Sequence, residues 1–145
     1  MSTDDLTRFD EKFRVETLLL ADTGGWALSL RPGQTTLGAT VLSVRSGARD
    51  LAALTGPEAS GMAAGFGLAE RLSREVFGAV RINILCLMMQ DPIVHFHILP
   101  RYDREIDRYG RTWVDADWPG PPVITADPAP DGILQAIRKD LRAVR

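Results

Sequence analysis

The only two histidines of the chain, His95 and His97, stand two residues apart in the apolar run "IVHFHILPR". In a strand, side chains at i and i+2 project to one face. The rings are therefore neighbours, roughly 6–7 Å apart, while Val94, Phe96 and Ile98 point into the core. The spacing predicts a wet sheet face carrying two imidazoles and a dry face of aliphatics. A neutral imidazole is nucleophilic near pH 7 because its ordinary pKa is about 6.5. Such a nitrogen can displace a leaving group from phosphorus and form a phosphoramidate that water then cleaves. The second imidazole would bond the phosphoryl or leaving oxygens and supply a proton, in a reaction that needs positioning and charge stabilisation above all. Two other readings compete. An H-x-H pair on a strand can begin a zinc or iron site, but a further ligand would have to come from Asp91, Asp103 or a distant carboxylate. Alternatively, the pair is structural, bonded to neighbours and without chemistry.

The elements that must hold this pair can be read from periodicity. Met1 to Lys12 is read as an arm or short helix. "FRVETLLL" (Phe13 to Leu20) alternates as a half-buried strand, "ADTGG" turns, and "WALSLRP" returns from Trp26 as a hairpin partner. "TTLGATVLSVR" continues as a third strand. Pro57 and Glu58 open a helix capped by Thr55 or Gly56, with Met62, Phe66, Ala69 and Val76 in its apolar stripe and Gly78 at its end. "VRINILCLMM" and "IVHFHILP" are strands joined by "QDP". Residues 103–130 hold most of the prolines and read as an irregular tail, and 131–145 as a closing helix capped by Asp131. Three strands, a helix, two strands and a last helix make one α+β domain with an antiparallel sheet of about five strands.

Composition narrows the function classes. The chain has 145 residues, enough for one core, with 45% hydrophobic and 25% charged residues. A net charge of −2 gives no general attraction to nucleic acid polymers or anionic membranes, although a small anion could still be held locally. No apolar run approaches the roughly 20 residues of a membrane span. The single cysteine, Cys86, lies in an apolar strand and reads as a small buried hydrophobe in a reducing compartment. An acidic N-terminus, "MSTDDLTRFDEKF", is unlike a signal peptide, so a cytoplasmic location is expected.

"HFHILPRY" resembles the signature of the histidine triad (HIT) superfamily, His-φ-His-φ-His-φ-φ, often followed by Pro-Arg. The resemblance runs from about Phe13 to Tyr102. "TLGATVL" lies where the family has a Gly-containing strand, and "RINILCLM" where it has the penultimate strand. In this register His95 matches the family's nucleophile and His97 the third histidine. The resemblance implies an α+β fold, usually a homodimer with a continuous sheet. It further implies hydrolysis or transfer of nucleoside phosphates through a nucleotidyl-histidine, on an AMP-like nucleotide or conjugate. Neither cofactor nor metal is expected, although a polyphosphate could bring Mg²⁺. Asn83 and Gln90 match positions that hold the ligand. The departures are Ile93 in place of the first histidine, Ala39 where many members have another, and Met88 and Met89 where relatives often have Gly or Asn. These departures leave open a non-catalytic nucleotide-binding or regulatory protein, with a metal-dependent enzyme third. Arg101 is expected to pair with phosphate or with an acid of the same chain. Trp113 and Trp118 are expected to cover a sheet edge or stack on a base.

Overall fold

The computed structural model describes residues 3–144. The chain opens with helix α1 (Thr3–Lys12), followed by strands β1 (Leu19–Asp22), β2 (Trp26–Leu30) and β3 (Thr40–Val44). Helix α2 (Gly56–Phe77) leads to β4 (Arg81–Leu85) and β5 (His95–Arg101). A small hairpin, β6 (Ile106–Arg108) and β7 (Arg111–Trp113), precedes the last helix, α3 (Asp131–Arg142). The main sheet has five antiparallel strands in the order β1-β2-β3-β5-β4, which places the histidine strand one position in from the edge. This is the α+β architecture expected from the sequence.

The central helix forms as its sequence signals require. Thr55 accepts from the Glu58 N–H while the Glu58 carboxylate accepts from the Thr55 N–H, a reciprocal cap that satisfies two donors. Gly78 closes the other end in the left-handed conformation, with φ 71°. The helix lies on the sheet face carrying Phe96, whose ring meets Phe66 edge-on at 5.0 Å. Gly61 and Gly65 allow the approach: a Cβ at Gly61 would lie 2.1 Å from the Gly24 carbonyl oxygen. A second apolar cluster, including Leu30, Leu72, Phe77 and Trp113, joins α2 to α3 through Leu134, Ile137 and Leu141.

Three expectations need correction. The run Phe13–Leu20 is a strand only from Leu19; residues 13–18 are turns, whose apolar side chains Phe13, Val15 and Leu18 are nevertheless buried. For the N-terminal segment the short-helix reading holds: it is helical from Thr3 and packs on the sheet through Phe9, while Met1 and Ser2 lie outside the described residues. The tail contains the β6–β7 hairpin, turned by Tyr109 and Gly110 with φ of 57° and 75°, a pair suited to a type I′ turn. Asp131 is the first residue of α3 rather than its cap, and its carboxylate pairs with Arg14 at 2.7 Å. Arg145, the last residue of the expected closing helix, lies outside the described residues.

Candidate functional site

His95 and His97 share a face of β5 opposite Phe96, with ring centroids 5.0 Å apart and planes nearly perpendicular at 82°. Their strand neighbours on β3 are Ser43 and Val41, and Leu85 of β4 lies opposite His97. The face is not wet. Helix α1 and the turn after it lay Phe9 against His95 at 4.9 Å and Phe13 against His97 at 6.0 Å. His95 is left 1% exposed and His97 7%. A buried polar ring is stable only with its nitrogens satisfied, and both rings have partners.

Those partners assign the tautomers. His95 Nδ1 lies 2.6 Å from the carbonyl oxygen of Ile93. A carbonyl can only accept, so Nδ1 carries the proton and Nε2 keeps its lone pair. Arg31 donates from Nε to His97 Nδ1 at 3.2 Å. A guanidinium can only donate, so His97 Nδ1 is the acceptor and the hydrogen of the neutral ring sits on Nε2. Burial pushes both imidazoles below their ordinary pKa, His97 to about 4, and the Arg31 charge adds to the shift at His97. Both rings are neutral near pH 7.

Both histidines line a cavity of about 410 Å³. Its lining includes Lys12, Gln90 and Asp91, with the Lys12 ammonium held on both Asp91 oxygens at 2.9 and 3.0 Å. Arg31, Gly33 and the tail at Ile124 line it as well. Met88, on the rim, has a left-handed φ of 50°, a conformation that Gly or Asn adopts at less cost. Arg31 was not among the residues singled out by sequence. It is 6% exposed, donates Nη1 to the carbonyls of Gly33 and Thr125 at 2.6 Å each, and has no carboxylate partner among the described residues. An arginine between a strand and Pro-Gly reads as turn solvation, so its sequence context carries no signal.

Of the sequence-selected residues, Gln90 joins the histidines at the cavity. Asn83 does not line it. Its Oδ1 accepts from Arg101 Nη1 at 2.6 Å, beside a separate hollow along β4. Arg101 in turn pairs with Asp115 at 2.7 Å, with both side chains buried. Burial pushes the Asp115 carboxyl up, but the bonds from Arg101 and the Tyr102 N–H outweigh it and hold the group below the ordinary carboxylate range. Trp113 is buried in the second cluster, and Trp118 stacks over Arg101 at 5.9 Å. Among the described residues no group of three or more His, Cys, Asp or Glu could hold a metal. A cation is also disfavoured beside His97, because the Arg31 N–H occupies Nδ1 and brings a positive charge.

Solved structures with this arrangement of strands and helices include several histidine triad proteins. One from Sinorhizobium meliloti aligns over 90% of this chain and 92% of its own, with TM-score 0.69 and 18% identity. A HIT-like protein from Bartonella henselae, described as involved in cell-cycle regulation and solved with an unknown ligand, covers 94% and 93% at TM-score 0.66 and 19% identity. A zinc-bound family protein from Mycobacterium smegmatis covers 87% and 81% at TM-score 0.63 and 20% identity. This chain has the histidine triad fold. No family sequence model and no curated protein matches it. Ile93, two residues before His95, is fully buried in the core. The Ile93 carbonyl bonds His95 whatever side chain residue 93 carries.

Proposed function

We propose that this HIT-fold protein binds a nucleotide or nucleotide conjugate and cleaves it at the α-phosphorus through a nucleotidyl-His95 intermediate. The observation that carries the reading is the bond from His95 Nδ1 to the Ile93 carbonyl, which leaves Nε2 as an unprotonated nucleophile in a ring that lines the cavity. Nε2 attacks phosphorus, a P–N bond forms, and the bond to the leaving group breaks. The hydrogen stays on His95 Nδ1, donated to the Ile93 carbonyl oxygen, as the ring becomes positive, so the charge is stabilised where it develops. His97 Nε2–H donates to a phosphoryl oxygen, and Lys12 and Gln90 of the cavity lining face the ligand. Water then attacks phosphorus, the P–N pair returns to Nε2, and the nucleoside monophosphate leaves with the water's proton passing to solvent.

In this reading Asn83 acts through Arg101 and Asp115 by anchoring the sheet edge. The working unit is a homodimer paired through β4. The test is incubation with a dinucleoside polyphosphate and with a nucleoside 5′-phosphoramidate, with acid-labile nucleotidyl-protein followed by mass. Release of nucleoside monophosphate that disappears in His95→Ala, with the label mapping to His95, is the expected result. Tight AMP binding with no turnover of either substrate would leave a binding protein in its place, the reading favoured by Ile93 and Ala39 at two positions where the family often has histidine.

A further inference from the structure

We infer that the Arg31–His97 bond makes this site selective for nucleotidyl conjugates whose leaving group departs as a stable oxyanion, such as a phosphate or a carboxylate. Amine leaving groups are discriminated against. The inference rests on the nucleotidyl-transfer reading and sharpens its substrate class.

The argument turns on one nitrogen. An amine expelled from phosphorus must be protonated as it leaves, so its cleavage needs a general acid near neutral pH. A phosphate or carboxylate oxygen carries the electron pair of the broken P–O bond away unaided. His97, beside the nucleophile, is the natural acid, but as an acid it would have to be an imidazolium with hydrogens on both nitrogens. Its Nδ1 is already occupied by the Arg31 N–H at 3.2 Å. A proton there would face the guanidinium hydrogen directly. Giving up the Nε2 hydrogen from the neutral ring would leave an imidazolate, which a neutral site does not support.

The groups facing His97 do not restore an acid. From α1 comes Lys12, whose ammonium is shared between both Asp91 oxygens. The loop before β5 supplies Asp91, which alone favours protonation of His97, while His95, Lys12 and Arg31 oppose it. From β3 and β4 the neighbours are Val41 and Leu85, neither of which titrates.

Arg31 is itself fixed. Its Nη1 bonds the Gly33 and Thr125 carbonyls at 2.6 Å, so the guanidinium cannot swing away without undoing the turn and the tail. Arg31 is therefore a positioning residue: it holds His97 as a neutral donor and sharpens the Nε2–H toward a phosphoryl oxygen.

The experiment has two arms. In the full-length protein, ¹⁵N spectra of the histidine rings near pH 7 should show His97 with hydrogen on Nε2 and a bare Nδ1, with scalar coupling across the hydrogen bond to Arg31 Nε. Hydrogen on His97 Nδ1 overturns the inference, and this arm needs neither a variant nor turnover. In the second arm, kcat/KM is compared for an adenylyl anhydride and an adenosine 5′-phosphoramidate of an alkylamine. The anhydride should be preferred by at least about a hundredfold, the scale of one general acid. In Arg31→Met the His97 titration should move toward its ordinary value, anhydride turnover fall about tenfold and the amine substrate gain below pH 6.5, shrinking the preference. Should Arg31→Met not fold, the wild-type spectra and the wild-type preference decide. Preferential cleavage of the amine substrate would overturn this inference and leave nucleotidyl transfer standing. Cleavage of neither substrate would overturn the transfer reading and this inference with it.

Discussion

At the scale of single residues, the site depends on which atoms next to two imidazoles can only accept and which can only donate. The pair itself was legible in the sequence, because H-x-H on an apolar strand constrains both rings to one face. The partners were not. A main-chain carbonyl has no sequence signature, and Arg31 lies 66 residues from His97. The wet face expected for the rings failed for a similar reason: Phe9 and Phe13 reach them from a segment that composition alone marks as acidic and polar. Burial has a measurable consequence. His97 is depressed from 6.5 to about 4, so the native state binds fewer protons than the unfolded state between those values, and stability falls as pH drops through that window. The sign is that of a buried neutral base that must charge. At about 1.4 kcal/mol per pKa unit, His97 alone accounts for about 2 kcal/mol lost by pH 5 and about 3 kcal/mol by pH 4. His95, lowered by burial as well, adds in the same direction. Urea unfolding between pH 7 and pH 5 should show the decline, and His97→Gln should flatten it. An equal slope in the variant would place the proton uptake elsewhere.

At the scale of elements, local rules fared well where the signal is chemical and poorly where it is only periodic. The α2 boundaries followed from Thr55, Pro57, Glu58 and Gly78, each with a specific backbone role. The alternation in Phe13–Leu20 had no such anchor: Phe13, Val15 and Leu18 are buried from turns, and the chain becomes a strand only at Leu19. The β6–β7 hairpin was missed because Tyr109-Gly110 is not one of the common Asn-Gly or Asp-Gly turn pairs, although its backbone is of that kind. Glycines in α2 separate packing from propensity within one helix. Thr23 donates its hydroxyl to the Gly61 carbonyl at 3.0 Å, and a methyl at Gly61 would run into backbone at Thr23 and Gly24. Gly61→Ala should therefore cost about 1–3 kcal/mol, outweighing the helix gain of about 1 kcal/mol. At Gly67 a Cβ meets nothing within 4 Å, so Gly67→Ala should stabilise by up to about 1 kcal/mol. Thermal melts of the two variants should move in opposite directions, and a stabilised Gly61→Ala would mean that α2 does not rest on the β1–β2 turn.

At the scale of the whole molecule, the two edges of the sheet are unlike. The β1 edge is attended by α3, whose Arg138 donates to the Leu19 carbonyl at 2.9 Å. Along β4, no backbone bond to a further segment occurs among the described residues, and Ile84 is 42% exposed at mid-strand. Past the strand, Leu87 and Met89 are 52% and 88% exposed. An edge with unpaired N–H and C=O groups and apolar side chains is a template for a further strand. The sequence alone could suggest this only through family resemblance, because an edge strand and an interior strand read alike until the sheet order is known. In the proposed homodimer, β4 pairs with the β4 of a second copy about a two-fold axis, making the two sheets continuous. Leu87, which lines the histidine cavity, would then lie near the partner, so assembly and ligand binding would be linked. Light scattering should give a mass twice 15.9 kDa. Ile84→Lys, which puts a charge in the middle of that edge while leaving every cavity residue in place, should shift the protein toward monomer and weaken nucleotide affinity. A wild-type protein that stays monomeric at tens of micromolar would sink the pairing. A dimer indifferent to Ile84→Lys would move the interface away from β4.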